Sequence, residues 1–257
     1  MKKIAVLLLA AVVTLTGCGS TSTTFPISNQ QRISKSSYYD ASDTFGGYNT
    51  YAYDGNNRLI TNVYYDGSSV QQGSTGYAYD GSGRLATASF YDASSVLQSY
   101  AAYAYDGSDR LATITFYDAS DTLLNHITFA YDGSGKLVTE SFYDSSDVFQ
   151  GYITYEYDGN GRLQKISSYN VSAVLMGYGT YTYDGSGRLA TESWYNSSDV
   201  LQYSTEYTYD GNGYLTKMSY YDGSAVLTGY STIENEAGTG NFNLADPLSI
   251  FRFGATD

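Results

Sequence analysis

Close copies of one nine-residue stretch recur at intervals of 26 residues, beginning at Tyr51, Tyr77, Tyr103, Phe129, Tyr155, Tyr181 and Tyr207. The clearest copy reads Tyr77-Ala78-Tyr79-Asp80-Gly81-Ser82-Gly83-Arg84-Leu85. A fixed period of this length means one supersecondary unit stacked on copies of itself, so the chain is predicted to be a repeat protein stabilised by neighbour contacts. A second mark, Tyr38-Tyr39-Asp40, returns in phase as Tyr64-Tyr65-Asp66, Phe90-Tyr91-Asp92, Phe116-Tyr117-Asp118 and Phe142-Tyr143-Asp144. It continues as Ser168-Tyr169-Asn170, Trp194-Tyr195-Asn196 and Tyr220-Tyr221-Asp222.

The residues between the marks read as strands. Leu97, Ala101, Tyr103 and Tyr105 fall on one face of Val96 to Tyr105 under period-two alternation. In the next segment Leu111, Thr113, Thr115 and Tyr117 alternate with Arg110, Ala112, Ile114 and Phe116. Aromatic and β-branched residues bounded by Asp, Gly and Ser clusters mark strands, and no helix is predicted in the mature chain. Asp-Gly turns at one end of each unit and Asp-Ala-Ser-Ser or Asp-Ser-Ser-Asp turns at the other reverse the chain twice per unit. The predicted fold is all-β: a repetitive antiparallel meander of hairpins, on the order of fifteen strands, forming a twisted or curled strip. A parallel β-solenoid with one coil per unit is the alternative.

Leu59, Leu85, Leu111, Leu137, Leu163, Leu189 and Leu215 form one apolar column, but the remaining inward candidates are Tyr, Ala, Thr and Ser, so a thick sandwich is not expected. The last unit replaces the turn mark by Ile233-Glu234-Asn235-Glu236-Ala237 and is predicted to be a terminal cap. The tail Asn241 to Asp257 is expected to cover the open edge of the strip. An integral outer-membrane barrel has about the right strand number, but both faces carry Arg, Glu, Gln or Asn mid-strand, against the continuous apolar band such a barrel requires.

The N-terminus has the organisation of a bacterial export signal: Met1-Lys2-Lys3, an apolar run from Ile4 to Val13, then Leu15-Thr16-Gly17-Cys18. The apolar run is too short to span a bilayer as a mature helix. Leu15 to Cys18 resembles the lipobox of bacterial lipoproteins. That resemblance implies cleavage before Cys18 and lipidation of Cys18, the only cysteine, and Gly19 rather than Asp at the next position implies the outer membrane. The expected organisation is a signal peptide over 1–17, a lipidated N-terminus and flexible Ser/Thr-rich tether over 18–32, the repeat domain over 33–235, and a C-terminal cap and tail over 236–257. Losing Lys2 and Lys3 reduces 13 basic residues to 11 against 26 acidic ones, a formal charge of −15. That balance excludes nucleic acid as a partner. A soluble monomer attached to the membrane through its lipid is expected.

The unit Tyr-x-Tyr-Asp-x-x-Gly-Arg-Leu resembles the YD repeat of the Rhs family, which also occurs in teneurins and insecticidal toxin complexes; Tyr77 to Leu85 and Tyr181 to Leu189 match it at each fixed position. The resemblance covers Tyr38 to Tyr230 and implies β-hairpins winding into a strip that can curl into a hollow shell. Departures occur at Asn57 and Asp109 in place of glycine, and at Lys136 and Tyr214 in place of arginine. No recognisable toxin or protease-like domain is expected after the repeats.

No catalytic set is predicted. His126 is the only histidine and occupies a column of tyrosines, which excludes a histidine-based nucleophilic triad. Without a free thiol there is no thiolate metal site. The carboxylates recur in every unit, as turn chemistry does. Asp54, Asp80, Asp106, Asp132, Asp158, Asp184 and Asp210 form a column that could hold Ca²⁺ only weakly, one carboxylate per loop, with Arg58, Arg84, Arg110, Lys136, Arg162 and Arg188 alongside. The aromatic columns are the stronger lead: Tyr48, Tyr100, Tyr152, Tyr178 and Tyr230, with Trp194, offer flat apolar faces and polar tips suited to a polysaccharide or an envelope protein. The predicted function is that of a non-enzymatic envelope lipoprotein binding such a partner along a tyrosine-rich surface. A purely structural or adhesive component, or a remnant of a Rhs-type toxin shell, are the alternatives.

Overall fold

In a computed structural model the described residues, 30–238, form sixteen strands: β1 (Gln30–Asp40), β2 (Phe45–Tyr53), β3 (Leu59–Asp66), β4 (Gln71–Tyr79), β5 (Leu85–Asp92), β6 (Leu97–Tyr105), β7 (Leu111–Asp118) and β8 (Leu123–Tyr131), followed by β9 (Leu137–Asp144), β10 (Phe149–Tyr157), β11 (Leu163–Asn170), β12 (Leu175–Tyr183), β13 (Leu189–Asn196), β14 (Leu201–Tyr209), β15 (Leu215–Asp222) and β16 (Leu227–Gly238). Each strand pairs antiparallel with the next, and β16 pairs with β1, so the sheet is a closed barrel. This corrects the predicted open strip, and the solenoid with it. Antiparallel hairpins supply the wall as expected, but closure removes both free edges, which a strip would have to protect. Strand Leu227–Gly238 is therefore a closing strand and not a cap. Its departures from the repeat meet β1, with Ile233 opposite Ser36, Asn235 opposite Ile33 and Glu236 opposite Arg32. Cys18, the tether and the tail 241–257 lie outside the described residues.

The register explains the closure. A line of partners drawn across the wall runs from Tyr51 to Asn62, Thr75, Phe90 and Ser99. It meets the seventh residue of β2, the fifth of β4 and the third of β6, a slip of two residues per hairpin. The seam obeys the same rule, since Thr232 of β16 pairs with Ser37, which pairs with Tyr48 of β2. Eight hairpins thus accumulate a shear of about sixteen, equal to the strand number; this corresponds to a tilt of ~35° and, for a round cross-section, a backbone radius of ~15 Å.

Alternation assigns the two faces. The middle ring of one face holds Tyr51, Tyr77, Tyr103, Phe129, Tyr155, Tyr181, Tyr207 and Ile233 on the even strands. These pair with Asn62, Ala88, Ile114, Glu140, Ile166, Glu192 and Met218, and Ile233 with Ser36. Ile114, Met218 and Ala88 are buried there, so this face is the inside. Tyr77, Tyr103, Phe129 and Tyr155 remain partly exposed at mid-height. Inside a closed wall that exposure is to a lumen, lined by rings that shelter the smaller residues between them. Around its middle the outside carries Thr, Ser and Ala with Lys35, Lys165, Lys217, Glu156, Glu206 and Glu234.

The alternation slips once near each turn. The register shifts between Ala104 and Tyr105 leave Ala112 without a partner, so Leu111 returns to the inner face and is buried with Ile114, three residues on. Strict period-two reading had placed them on opposite faces.

Candidate functional site

The two ends of the barrel differ. At one end the seven Asp-Gly turns are closed by their own aspartates. Asp80 Oδ1 accepts the amide N–H groups of Ser82 and Arg84 at 2.9 Å, and its Oδ2 accepts Arg84 Nε at 2.7 Å. The Arg84 guanidinium lies 4.5 Å from the ring centroid of Tyr105 in the next unit, and the Tyr105 hydroxyl donates to the Leu85 carbonyl at 2.8 Å. The same latch joins Arg58 to Tyr79, Arg110 to Tyr131, Lys136 to Tyr157, Arg162 to Tyr183 and Arg188 to Tyr209. At the seam Arg32 takes this part over Tyr53, and Asn235 Nδ2 donates to the Leu215 carbonyl where other units use tyrosine. The bond from the Arg84 amide, then that from its side chain, holds the Asp80 carboxyl below the usual carboxylate range. Asp54, Asp158 and Asp184 are lowered with the amide of the following arginine as largest cause; in Asp106 the largest cause is the Arg110 side chain and in Asp132 the Ser134 side chain. Asp210 accepts the amides of Asn212 and Tyr214. Oδ1 of each aspartate in the predicted calcium column is thus engaged in closing its turn, and at Asp54, Asp80, Asp106, Asp158 and Asp184 Oδ2 accepts the arginine as well. Among the described residues no three of His, Cys, Asp and Glu come together as a metal-binding group.

The other end has eight turns, built on Asp40, Asp66, Asp92, Asp118, Asp144, Asn170, Asn196 and Asp222. Six of them are followed by valines, Val70, Val96, Val148, Val174, Val200 and Val226, each 54–58% exposed. With Asp43, Asp121, Asp147 and Asp199 these turns hold ten carboxylates and no Lys or Arg.

The nominated aromatic residues separate into two groups. Tyr48, Tyr100, Tyr152, Tyr178 and Tyr230 all face outward, where each stacks on a tyrosine of the adjoining strand at centroid distances of 4.7–5.0 Å. Lys35, Lys165 and Lys217 lie over Tyr48, Tyr178 and Tyr230. The hydroxyls of Tyr100, Tyr178 and Tyr230 donate to Asp121, Asp199 and Asp43. His126 fits the same belt, stacked on Tyr143 at 4.7 Å with Nε2 3.3 Å from Asp147. These rings zip adjoining strands together around the outside.

Trp194 faces inward. Its ring stacks on Tyr203 of β14 at 6.1 Å and 25°, and its Nε1–H donates to Glu192 Oε1. Glu192, 6% exposed, also accepts the Tyr207 hydroxyl through Oε2 at 3.0 Å. The indole lies on Gly179 of β12, where an added Cβ would fall 3.0 Å from the ring. Tyr203, toward the valine end, is 51% exposed. One lumen wall therefore carries a platform of Trp194 and Tyr203 above a buried carboxylate. Ser168, in the same ring of positions, leaves the one gap among seven aromatic residues, Tyr38, Tyr64, Phe90, Phe116, Phe142, Trp194 and Tyr220.

Sequence reasoning nominated Trp194 for the site but not Tyr203, Glu192 or Tyr207. The signal for Tyr203 was present: its column at 26-residue spacing reads Gly47, Gly73, Ser99, Asn125, Gly151, Gly177, Tyr203, Gly229.

No profile of a known protein family matches the chain, and no curated protein matches it. Among solved structures, a porin-like protein from Bacteroides uniformis is similar over 79% of this chain and 98% of that one, at 15% identity and a TM-score of 0.54. A porin-like protein from Bacteroides vulgatus aligns over 79% and 97% at 12% identity, with a TM-score of 0.31. TcdB2-TccC3 without its hypervariable C-terminal region aligns with 75% of this chain at 16% identity and a TM-score of 0.31, but over only 12% of its own length. The first of these likenesses supports the barrel architecture. At 0.31 the other two carry no architectural weight.

Proposed function

We propose that this chain is a non-enzymatic, lipid-anchored protein of the bacterial cell envelope whose barrel stands in water and binds a ligand in its lumen. The observation that carries the reading is the polarity of the wall. At mid-height Tyr, Phe, Ile and Met face inward, while Thr, Ser and Ala with lysines and glutamates face outward; the outer tyrosines form a single belt nearer the valine end. A membrane-spanning barrel needs the reverse, an outer apolar band about 25 Å tall, and a single mid-band lysine there costs about 2–4 kcal/mol. Resemblance of Leu15 to Cys18 to a lipobox supplies the anchor, and β1, the first described strand, starts at the arginine end.

Closure also moves the binding reading indoors. A strip would offer a long tyrosine face to a polysaccharide or an extended protein, but here the outer rings stack on one another and the hydroxyls of Tyr100, Tyr178 and Tyr230 bond aspartates. The inner rings line a chamber, and concave, mostly aromatic sites with a few polar groups are where ligands bind.

The test is physical. With Cys18→Ser, the exported chain is expected to remain a soluble monomer without detergent in analytical ultracentrifugation and to leave planar bilayers non-conducting. Dependence on detergent together with discrete conductance steps would overturn the reading in favour of a channel.

A further inference from the structure

We infer that the lumenal ligand is an organic cation, an ammonium or quaternary ammonium group held at Trp194, Tyr203 and Glu192; this rests on the lumenal reading above. Three independent features converge on positive charge. The inward positions of the described strands include two carboxylates, Glu140 and Glu192, and no Lys or Arg; Lys35, Lys165 and Lys217 face outward, and the turn cations are engaged in their latches at the far end. The valine-end mouth carries ten aspartates and no basic residue. Such a mouth raises the local concentration of cations and repels anions.

The platform itself is built for a cation. Indole is the best of the aromatic faces for this purpose, and a second aromatic ring beside it extends the negative quadrupole surface. The bond from Trp194 Nε1–H to Glu192 polarises the indole toward greater electron density, and the carboxylate lies beneath the platform with a second donor, the Tyr207 hydroxyl, fixing its orientation. A low-dielectric wall strengthens the attraction of Glu192 for a cation above it. Gly179 lets the indole lie flat against the wall. Tyr203 is the one large residue in a column of Gly, Ser and Asn, so the second ring occurs only beside the single Trp of the chain.

Because Trp194 is the only tryptophan, its fluorescence reads this site alone. The full mature chain, purified in detergent, is titrated with choline and with its neutral isostere 3,3-dimethyl-1-butanol, with heats of binding recorded on the same samples. Choline is expected to shift the emission saturably, and the isostere to bind about tenfold more weakly or less. Glu192→Gln and Tyr203→Gly are each expected to weaken choline by about tenfold, with unchanged far-ultraviolet dichroism, since Gly already fills the Tyr203 column in five other units. Equal binding of the isostere, a response to neutral cellohexaose in place of choline, or no emission change with choline would each overturn the assignment. Heat without an emission change would place binding elsewhere in the chamber, sinking this site while leaving the lumenal reading standing.

Discussion

Each Asp-Gly turn relies on one carboxylate that accepts backbone amides, and at five of the seven its second oxygen also accepts an arginine Nε. The depressed pKa values of Asp54, Asp80, Asp106, Asp132, Asp158 and Asp184 mean that the unfolded chain binds more protons than the folded one in acid. This stabilisation is complete above the ordinary carboxyl value of about 3.9 and is lost as pH falls through the lower folded values. Thermal midpoints are expected to stay level from neutrality to about pH 5 and to drop toward pH 2. Burial works oppositely on phenols. Tyr77, Tyr79, Tyr131 and Tyr157 are pushed up to about 12. The unfolded chain releases those protons from about pH 10, so stability is complete below that and declines as pH rises toward 12. Tyrosinate absorbance and loss of sheet dichroism should share one alkaline transition. Backbone conformation offers a third test: Ala173 and Ala225 sit at φ of 57° and 59°, in the left-handed region that suits glycine. Ala173→Gly is expected to raise unfolding free energy by about 0.5–1 kcal/mol in a denaturant titration, the relief of steric strain exceeding glycine's entropy cost.

At the level of strands, the hairpins were legible and their closure was not. Tyr-Asp marks, Asp-Gly turns and alternation specify neighbours in sequence, and sixteen antiparallel strands follow from them. Contact between β1 and β16 depends on the slip accumulated over eight hairpins, which no single unit displays. The seam was visible only as degeneracy at Ile233 to Glu236, which reads equally as a cap until Arg32, Ile33 and Ser36 are seen opposite. The site was half legible for a similar reason: Trp194 stands out by identity, but its inward direction, opposite to that of Tyr48 or Tyr178, depends on parity and bulges. Truncation after Val226 removes β16 and exposes edges on β1 and β15. Light scattering is expected to show the truncated chain associating where the full chain is monomeric, since unpaired edges template pairing. A monodisperse truncated monomer would show that closure is not what guards the edges.

Across the whole molecule, charge is polarised along the barrel axis. The described Lys and Arg residues lie in the half nearer the arginine end, where β1 begins and β16 finishes, and the opposite mouth carries aspartates alone. A lipid at Cys18 joined to that end would let the acidic mouth face away from an anionic leaflet. On vesicles containing anionic lipid, proteolysis or spin-label accessibility is expected to find the valine turns more accessible than the Asp-Gly turns, with the difference reduced by salt. The slip of two residues per two strands has a further consequence. Every added or deleted 26-residue unit changes strand number and shear by the same amount, so their ratio, and with it the tilt, stays fixed while the bore changes. Gene duplication or loss of a single repeat would therefore recalibrate the chamber in steps of two strands, each about one-eighth of the circumference, without redesigning a hairpin. The chain is in this sense an adjustable gauge, set at eight.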